Sequence, residues 1–116
     1  MAIFEKVDTI CLKVSDVEKA SFWYQNVLGF RESFKDKHYR ILSIANSVIP
    51  ITIEEGEVSP SSNQAYPIFY TKNIEASYER LKENGVTVSA IETDGVNQYF
   101  DFYDLDGNHL QACYWR

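Results

Sequence analysis

The chain states one pattern twice. Val14-Ser15-Asp16-Val17-Glu18 is echoed 57 positions later by Thr71-Lys72-Asn73-Ile74-Glu75, and each copy runs through an amphipathic stretch to a glycine, Gly29-Phe30 and Gly85-Val86. One insertion after Glu18 in the first copy keeps apolar spacing and turn position aligned. A repeat of about half the chain predicts two similar units that together build one body. The surface where the two units face each other is then the first place to look for a site.

Length sets the scale of that body. The 116 residues suit one compact domain with a real core, and 45% apolar with 24% charged residues is ordinary for a soluble chain. Aromatics are abundant, with 8 Tyr, 7 Phe and 2 Trp, so either the core or a pocket is aromatic. A net charge of −6 without clustered Lys or Arg argues against a nucleic-acid partner and against adsorption to an anionic membrane. No apolar run is long enough to span a bilayer, and the N-terminal residues lack a signal-peptide layout, so a cytoplasmic protein is expected. Cys11 and Cys113 are the only cysteines, and free thiols are expected in that compartment.

Periodicity then places the elements. Residues 5–14 alternate like a half-buried strand, and Ser15 or Asp16 can cap a helix over about 17–28, which Gly29 ends. Strands are predicted at about 30–35, 38–45 and 48–55, with Asn46-Ser47 as a tight turn and Pro50 marking an edge or bulge. The second unit repeats the order: a strand at 65–71, a cap at Asn73, a helix over about 74–84 stopped by Gly85, and strands at 86–92, 97–103 and 108–115. Phe22, Trp23, Tyr24 and Tyr78 sit at helical spacing and are read as core. Asp104-Leu105-Asp106-Gly107-Asn108 has acids at alternate positions but lacks the glycine and glutamate of an EF-hand loop, so it is read as a hairpin turn.

Each half is therefore βαβββ. This order resembles the vicinal-oxygen-chelate superfamily, which contains glyoxalase I, bleomycin-resistance proteins, extradiol dioxygenases and fosfomycin-resistance enzymes. The resemblance rests on Asp16-Val17-Glu18 before Phe22-Trp23-Tyr24-Gln25-Asn26-Val27-Leu28-Gly29-Phe30, and on Phe102-Tyr103-Asp104-Leu105-Asp106-Gly107-Asn108 near the end. It implies an α+β fold in which two tandem βαβββ modules form a curled eight-stranded mixed sheet around a cavity. Module one is 1–57, a linker covers 58–63, and module two is 64–116. It also implies a homodimer.

Catalytic members of that superfamily hold a divalent metal with His, Glu or Gln on the first and last strands of each module. The resemblance places those positions at Thr9, Glu54, Tyr66 and Gln111. Glu54 alone is a strong ligand, Gln111 is a weak neutral one, and the two hydroxyls bind divalent ions poorly, whereas such a site needs about three nitrogen or carboxylate donors. No metal cofactor is expected on this basis; were one bound, Glu54 and Gln111 would hold it.

Alternation puts Thr9, Cys11 and Lys13 on one strand face, Tyr66, Ile68 and Tyr70 on another, and His109, Gln111, Cys113 and Trp115 on a third, with Phe69, Leu110, Ile10 and Leu12 opposite. If these faces line the cavity as the resemblance implies, the ligand-binding residues are Thr9, Cys11, Glu54, Tyr66, Tyr70, Gln111, Cys113 and Trp115. Such a wall suits a flat or apolar molecule; the same rings can instead simply fill a small barrel. Cys11 and Cys113 are read as inert thiols. His38 and His109 are read as surface or partly exposed strand residues, neither with a partner nearby in sequence that marks a general base. The resulting expectation is a metal-free protein that binds a small aromatic or apolar organic molecule. The alternatives are a divalent-metal-dependent lyase, isomerase or dioxygenase of the same superfamily, and a protein-interaction module with its cavity packed shut.

Overall fold

The computed structural model of the protein describes residues 2–59 and 65–116, so most of the expected linker (60–63) lies outside the described residues. In chain order the elements are β1 (Ile10–Val14), α1 (Val17–Val27), β2 (Arg31–Lys35), β3 (Tyr39–Ser43), β4 (Ile51–Glu55), β5 (Ile68–Tyr70), α2 (Ile74–Glu83), β6 (Glu92–Thr93), β7 (Gln98–Tyr103) and β8 (His109–Tyr114). They fall into two compact units, Met1–Val58 and Ser59–Arg116. The repeat is therefore real in three dimensions, and each unit is a βαβββ module. The strands form two four-stranded sheets, ordered β1-β4-β3-β2 and β5-β8-β7-β6, in place of one continuous eight-stranded sheet.

In the first unit β1 runs parallel to β4, and β4, β3 and β2 follow antiparallel, with a bulge between Glu32 and Phe34. One face carries Val14, Leu42, Ile51 and Ile53, all buried, against Val17, Ala20 and Tyr24 of α1. Tyr24 is fully enclosed, with its ring 5.0 Å from Trp23 and 5.7 Å from Phe30. Each such side chain contributes about 1.5–3 kcal/mol through burial. Phe22, expected in the core, is instead 68% exposed. It lies two residues from Tyr24, about 200° around the helix, and one core-facing stripe cannot hold both.

The helix ends follow from local chemistry. Asp16 accepts a hydrogen bond from the Lys19 N–H at 3.0 Å, and Glu55 of β4 accepts from the Val17 N–H at 3.1 Å, so two orphan donors of α1 are satisfied. In the second unit Asn73 does the same for the Ala76 N–H at 3.0 Å. Helix α2 ends in a Schellman motif: the Val86 N–H reaches the Leu81 carbonyl at 3.0 Å, and Gly85 supplies the required positive φ of 76°.

The second unit repeats the plan, with β5 parallel to β8 and β8, β7 and β6 antiparallel. Phe100, Phe102, Leu110 and Ala112 are buried on the face that also holds Ile74 and Leu81 of α2, with Tyr78 edge-on to Phe100 at 5.4 Å. The expected strand at 86–92 is largely absent. Val88 makes only an isolated bridge to Phe102, and pairing resumes at Glu92. Between them the Ser89 hydroxyl accepts the Asp101 N–H at 2.8 Å, so a side chain takes a ladder position that a carbonyl would otherwise fill. Strand β1 is also shorter than the expected 5–14, because residues before Thr9 are exposed and unpaired in the sheet. The turn before β4 falls on Ala45-Asn46, one residue earlier than expected, with Ala45 at φ 34°.

The Asp104–Asn108 segment is a hairpin turn. Asp104 Oδ1 accepts the backbone N–H of Asp106 and of Asn108, each at 2.9 Å, and Gly107 adopts φ 81°. Its carboxylate is consumed by its own loop.

Candidate functional site

Alternation along the strands of the second unit leaves one sheet face uncovered by α2. Tyr99, Asp101 and Tyr103 of β7 stand there opposite Cys113, Gln111 and His109 of β8, and Ile68 and Tyr70 of β5 stand beside Gln111 and Cys113. These side chains are half-buried or exposed, while the intervening Phe100, Phe102, Leu110 and Ala112 are buried. The face is hollow. A cavity of about 640 Å³ is lined by Tyr66, Ile68, Tyr70, Tyr99, Cys113 and Trp115, with Asp94, Asn97 and Gln111 as its polar members. That volume is in the range of small-molecule sites, and the mix of aromatic wall and few polar groups is typical of them. Tyr70 is held in place by donating its hydroxyl proton to the Trp115 carbonyl at 3.1 Å, and the two rings lie 5.0 Å apart.

On the same face lies a polar network. Asp101 Oδ1 meets His109 Nε2 at 2.7 Å and accepts from Gln111 Nε2 at 3.1 Å. Burial works to raise the Asp101 pKa, but the hydrogen bonds from His109 and Gln111, with the charge of His109, outweigh it and hold the carboxyl below its usual range. An ionised carboxylate can only accept, so the proton of the His109–Asp101 bond sits on Nε2. The imidazole lies against two rings, with Tyr66 at 4.0 Å and Tyr103 stacked at 5.6 Å. His109 is thus a partly exposed strand residue as expected, yet it has a partner eight residues away that the hairpin brings across.

A second acid shapes the rim. Asp94 accepts the backbone N–H groups of Val96 at 2.9 Å and Asn97 at 2.7 Å, and the Asn97 side-chain amide at 3.1 Å. The Asn97 N–H is the main reason its pKa is lowered.

The open face of the first unit has a different character. Thr9 Oγ1 lies 3.0 Å from the Pro50 carbonyl and 2.8 Å from Thr52 Oγ1, and Lys13 forms an ion pair with Glu54. Burial pushes the Cys11 thiol pKa up, Glu54 adds to the rise, and Lys13 only partly opposes them. Cys113 on the second unit is raised by burial alone. Both cysteines are free thiols. His38 is exposed, 3.3 Å from Glu55.

Of the eight side chains expected to bind ligand, Tyr66, Tyr70, Gln111, Cys113 and Trp115 line this cavity, while Thr9, Cys11 and Glu54 sit on the first unit's face. Sequence reasoning missed Asp94, Asn97 and Tyr99 as lining residues, and the Asp101–His109 pair on the same face. Asp94-Gly95-Val96-Asn97 is a readable turn signal that places two polar side chains at the end of a strand.

The profile of the Glyoxalase/Bleomycin resistance protein/Dioxygenase superfamily matches residues 6–112, nearly the whole chain and both units. The chain belongs to this superfamily. No curated protein matches it in sequence. Among solved structures it is similar to TnmS3, an antibiotic-binding protein from Streptomyces sp. CB03234, at 21% identity and TM-score 0.85 with both chains covered completely. It is also similar to the fosfomycin resistance protein FosX from Listeria monocytogenes, complexed with Mn(II) and sulfate, at 21% identity and TM-score 0.82 over 98% of this chain and 93% of that one. An integron cassette protein from the mobile metagenome of Halifax Harbour Sewage Outfall, HFX_CASS4, aligns at 20% identity and TM-score 0.80, covering 96% and 99%. At these identities the likeness is one of fold.

A divalent-metal site needs about three nitrogen or carboxylate donors, and the four positions the resemblance assigns, Thr9, Glu54, Tyr66 and Gln111, include one carboxylate and no imidazole. Among the described residues no group of three or more His, Cys, Asp or Glu side chains is placed to hold an ion. Glu54 is already neutralised by Lys13, and Thr9 spends its hydroxyl on Pro50 and Thr52. The strand register adds a further mismatch. The 57-residue repeat carries Cys11 to Ile68 and Lys13 to Tyr70. Their β4 and β8 partners are Thr52 and Glu54 in one unit, Gln111 and Cys113 in the other. Glu54 and Gln111 are therefore not repeat-related positions. The donors at these positions, among the described residues, do not fit a tightly held divalent ion.

Proposed function

We propose that this superfamily member binds a small planar aromatic molecule in the cavity of its second unit and does so without a metal. The observation that carries the reading is the aromatic wall of Tyr66, Tyr70, Tyr99 and Trp115 around a space of about 640 Å³. Stacking on such rings holds flat molecules through area and quadrupole complementarity, and the few polar groups orient them. The same fold serves an antibiotic-binding protein, TnmS3, so it is compatible with holding such a molecule. The paired state of Glu54 and the weak donors around it support the metal-free part.

Titrating planar aromatic compounds while following tryptophan fluorescence tests this directly, since Trp115 lines the cavity. Saturable quenching is expected, lost in Trp115→Phe if Trp115 reports it, with affinity weakened in Tyr66→Ala. Absence of saturable binding across the series would refute the reading. Titration with manganese, nickel, zinc and iron forms the second arm, because FosX is a manganese complex of the same fold. Stoichiometric binding that disappears in Glu54→Ala would replace this reading with a metal-dependent one.

A further inference from the structure

The two amides that line the cavity are both held by acids, and each is held by the same end. Gln111 Nε2 donates to Asp101 Oδ1 at 3.1 Å, and Asn97 Nδ2 donates to Asp94 Oδ2 at 3.1 Å. A carboxylate accepts only, so each acid forces the NH₂ end of its amide toward itself and leaves the carbonyl oxygen as the group to be satisfied elsewhere. Both acids are held ionised: the pKa of Asp101 is lowered by His109 and Gln111 against the pull of burial, and that of Asp94 by the Asn97 and Val96 donors. Their orienting effect therefore persists at neutral pH. Asp94 also adds a formal negative charge to the lining, and none of the lining side chains is basic. Tyrosine hydroxyls rotate and can donate or accept, so they do not discriminate. The amide oxygens and the carboxylate do.

From this we infer that the cavity selects planar ligands carrying hydrogen-bond donors or positive charge, such as aromatic amines and amidines, and rejects carboxylates and phosphates, with Gln111 and Asn97 reading the donor and Asp101 and Asp94 positioning them. The inference rests on the proposed binding function and narrows it to a ligand class. The negative faces of the surrounding rings work in the same direction, since they attract cations. An anionic ligand would meet amide oxygens and a carboxylate of its own sign, with no basic side chain in the lining to pair its charge.

Three probes of one shape test it: 9-aminoacridine, acridine and acridine-9-carboxylate, titrated by fluorescence and calorimetry. The amine is expected to bind about tenfold tighter than the carboxylate, the effect of one charge-assisted hydrogen bond, with acridine between them. A net charge of −6 attracts any cation weakly, so the deciding variants leave charge unchanged. Gln111→Met and Asn97→Leu should each shrink the amine-to-carboxylate ratio about threefold while acridine binding stays within about twofold, as expected for a lost hydrogen bond with stacking intact. Asp101→Asn, whose new amide can donate, lets Gln111 turn and should shrink the ratio as well. Acridine binding with no amine preference, or a preference unchanged in both charge-neutral variants, overturns the inference and leaves the binding function standing. Failure of all three probes to bind overturns both.

Discussion

The two units share one topology and put it to different uses. In each, a first strand runs parallel to a last one, three strands follow antiparallel, and a helix covers one face. On the uncovered face of the first unit, polar side chains satisfy one another: Thr9 with Thr52, Lys13 with Glu54. On that of the second, aromatic rings in contact with one another border an open depression, and the acids hold the amide NH₂ groups of Gln111 and Asn97 instead of pairing with lysines. The lesson is that the backbone of a duplicated module fixes where side chains stand, while the residue at each station decides whether a face is polar and internally paired or aromatic. Thr9 and Tyr66, or Lys13 and Tyr70, are equivalent by the repeat and opposite in consequence.

If the covered faces are the common scaffold, breaking either should be equally damaging. Phe100→Ala in the second unit and Leu42→Ala in the first both empty fully buried positions. Each is expected to cost about 2–5 kcal/mol, a large share of the 5–15 kcal/mol that stabilises a typical domain. Chemical denaturation with matched m-values checks this. A substantially smaller loss in one unit would mean that the modules do not contribute as equals.

The open faces should then part company. Tyr66→Ala and Trp115→Ala are expected to weaken binding of a planar probe such as 9-aminoacridine by about tenfold or less each, following the 0.5–1.5 kcal/mol typical of an aromatic contact. Thr9→Val, which breaks the Thr9–Thr52 contact on the first unit, should leave that affinity unchanged. Equal loss from Thr9→Val would show that both faces serve one ligand, and the contrast drawn above would fall.

The contrast was only half legible in the sequence. Both helices, a first cap narrowed to Ser15 or Asp16, the second cap at Asn73, and the glycines that follow were readable, because capping and positive φ are local chemistry. Strand alternation also gave the right open-face residues in β8 and β5. What escaped was set by register. The Asp101–His109–Gln111 network needs Asp101 opposite Gln111, which follows only once the turn at Asp104–Asn108 is known to set Tyr103 against His109. Lys13 and Glu54 were each visible, but their pairing depends on the parallel register of β1 and β4, 41 residues apart. The expected strand at 86–92 failed because a serine hydroxyl, Ser89, substitutes for a backbone partner, and no periodicity rule anticipates that.

Cysteine chemistry sharpens the comparison with one residue per face. Burial raises both thiols, so alkylation by iodoacetamide at pH 7 should be slow at Cys11 and Cys113 alike and accelerate as pH rises. A bound planar probe should protect Cys113, which lines the cavity, and leave the rate at Cys11 unaltered. Mass spectrometry of the modified chain reads both rates in one sample. Protection of Cys11 to the same degree would place the ligand elsewhere.

The smallest effect concerns acids. Asp101 in the second unit and Glu55 in the first both have lowered pKa values, Asp101 through His109 and Gln111 overcoming burial, Glu55 chiefly through the Val17 N–H. A lowered folded-state pKa means stability that is present above the unfolded value, about 3.9–4.3 for these side chains, and lost as pH falls through the folded value. The deficits of Asp101→Asn and Glu55→Gln in thermal melts should therefore be full at pH 7 and narrow below about pH 4, and both shifts should be modest because neither group is deeply buried. Their stability profiles should run parallel; their binding profiles should not. Glu55 secures a helix end, so Glu55→Gln should leave amine-over-carboxylate selectivity intact at pH 7, whereas Asp101 holds the Gln111 amide and its loss should erode that selectivity. Equal selectivity in the two variants would mean that Asp101, like Glu55, serves the fold alone.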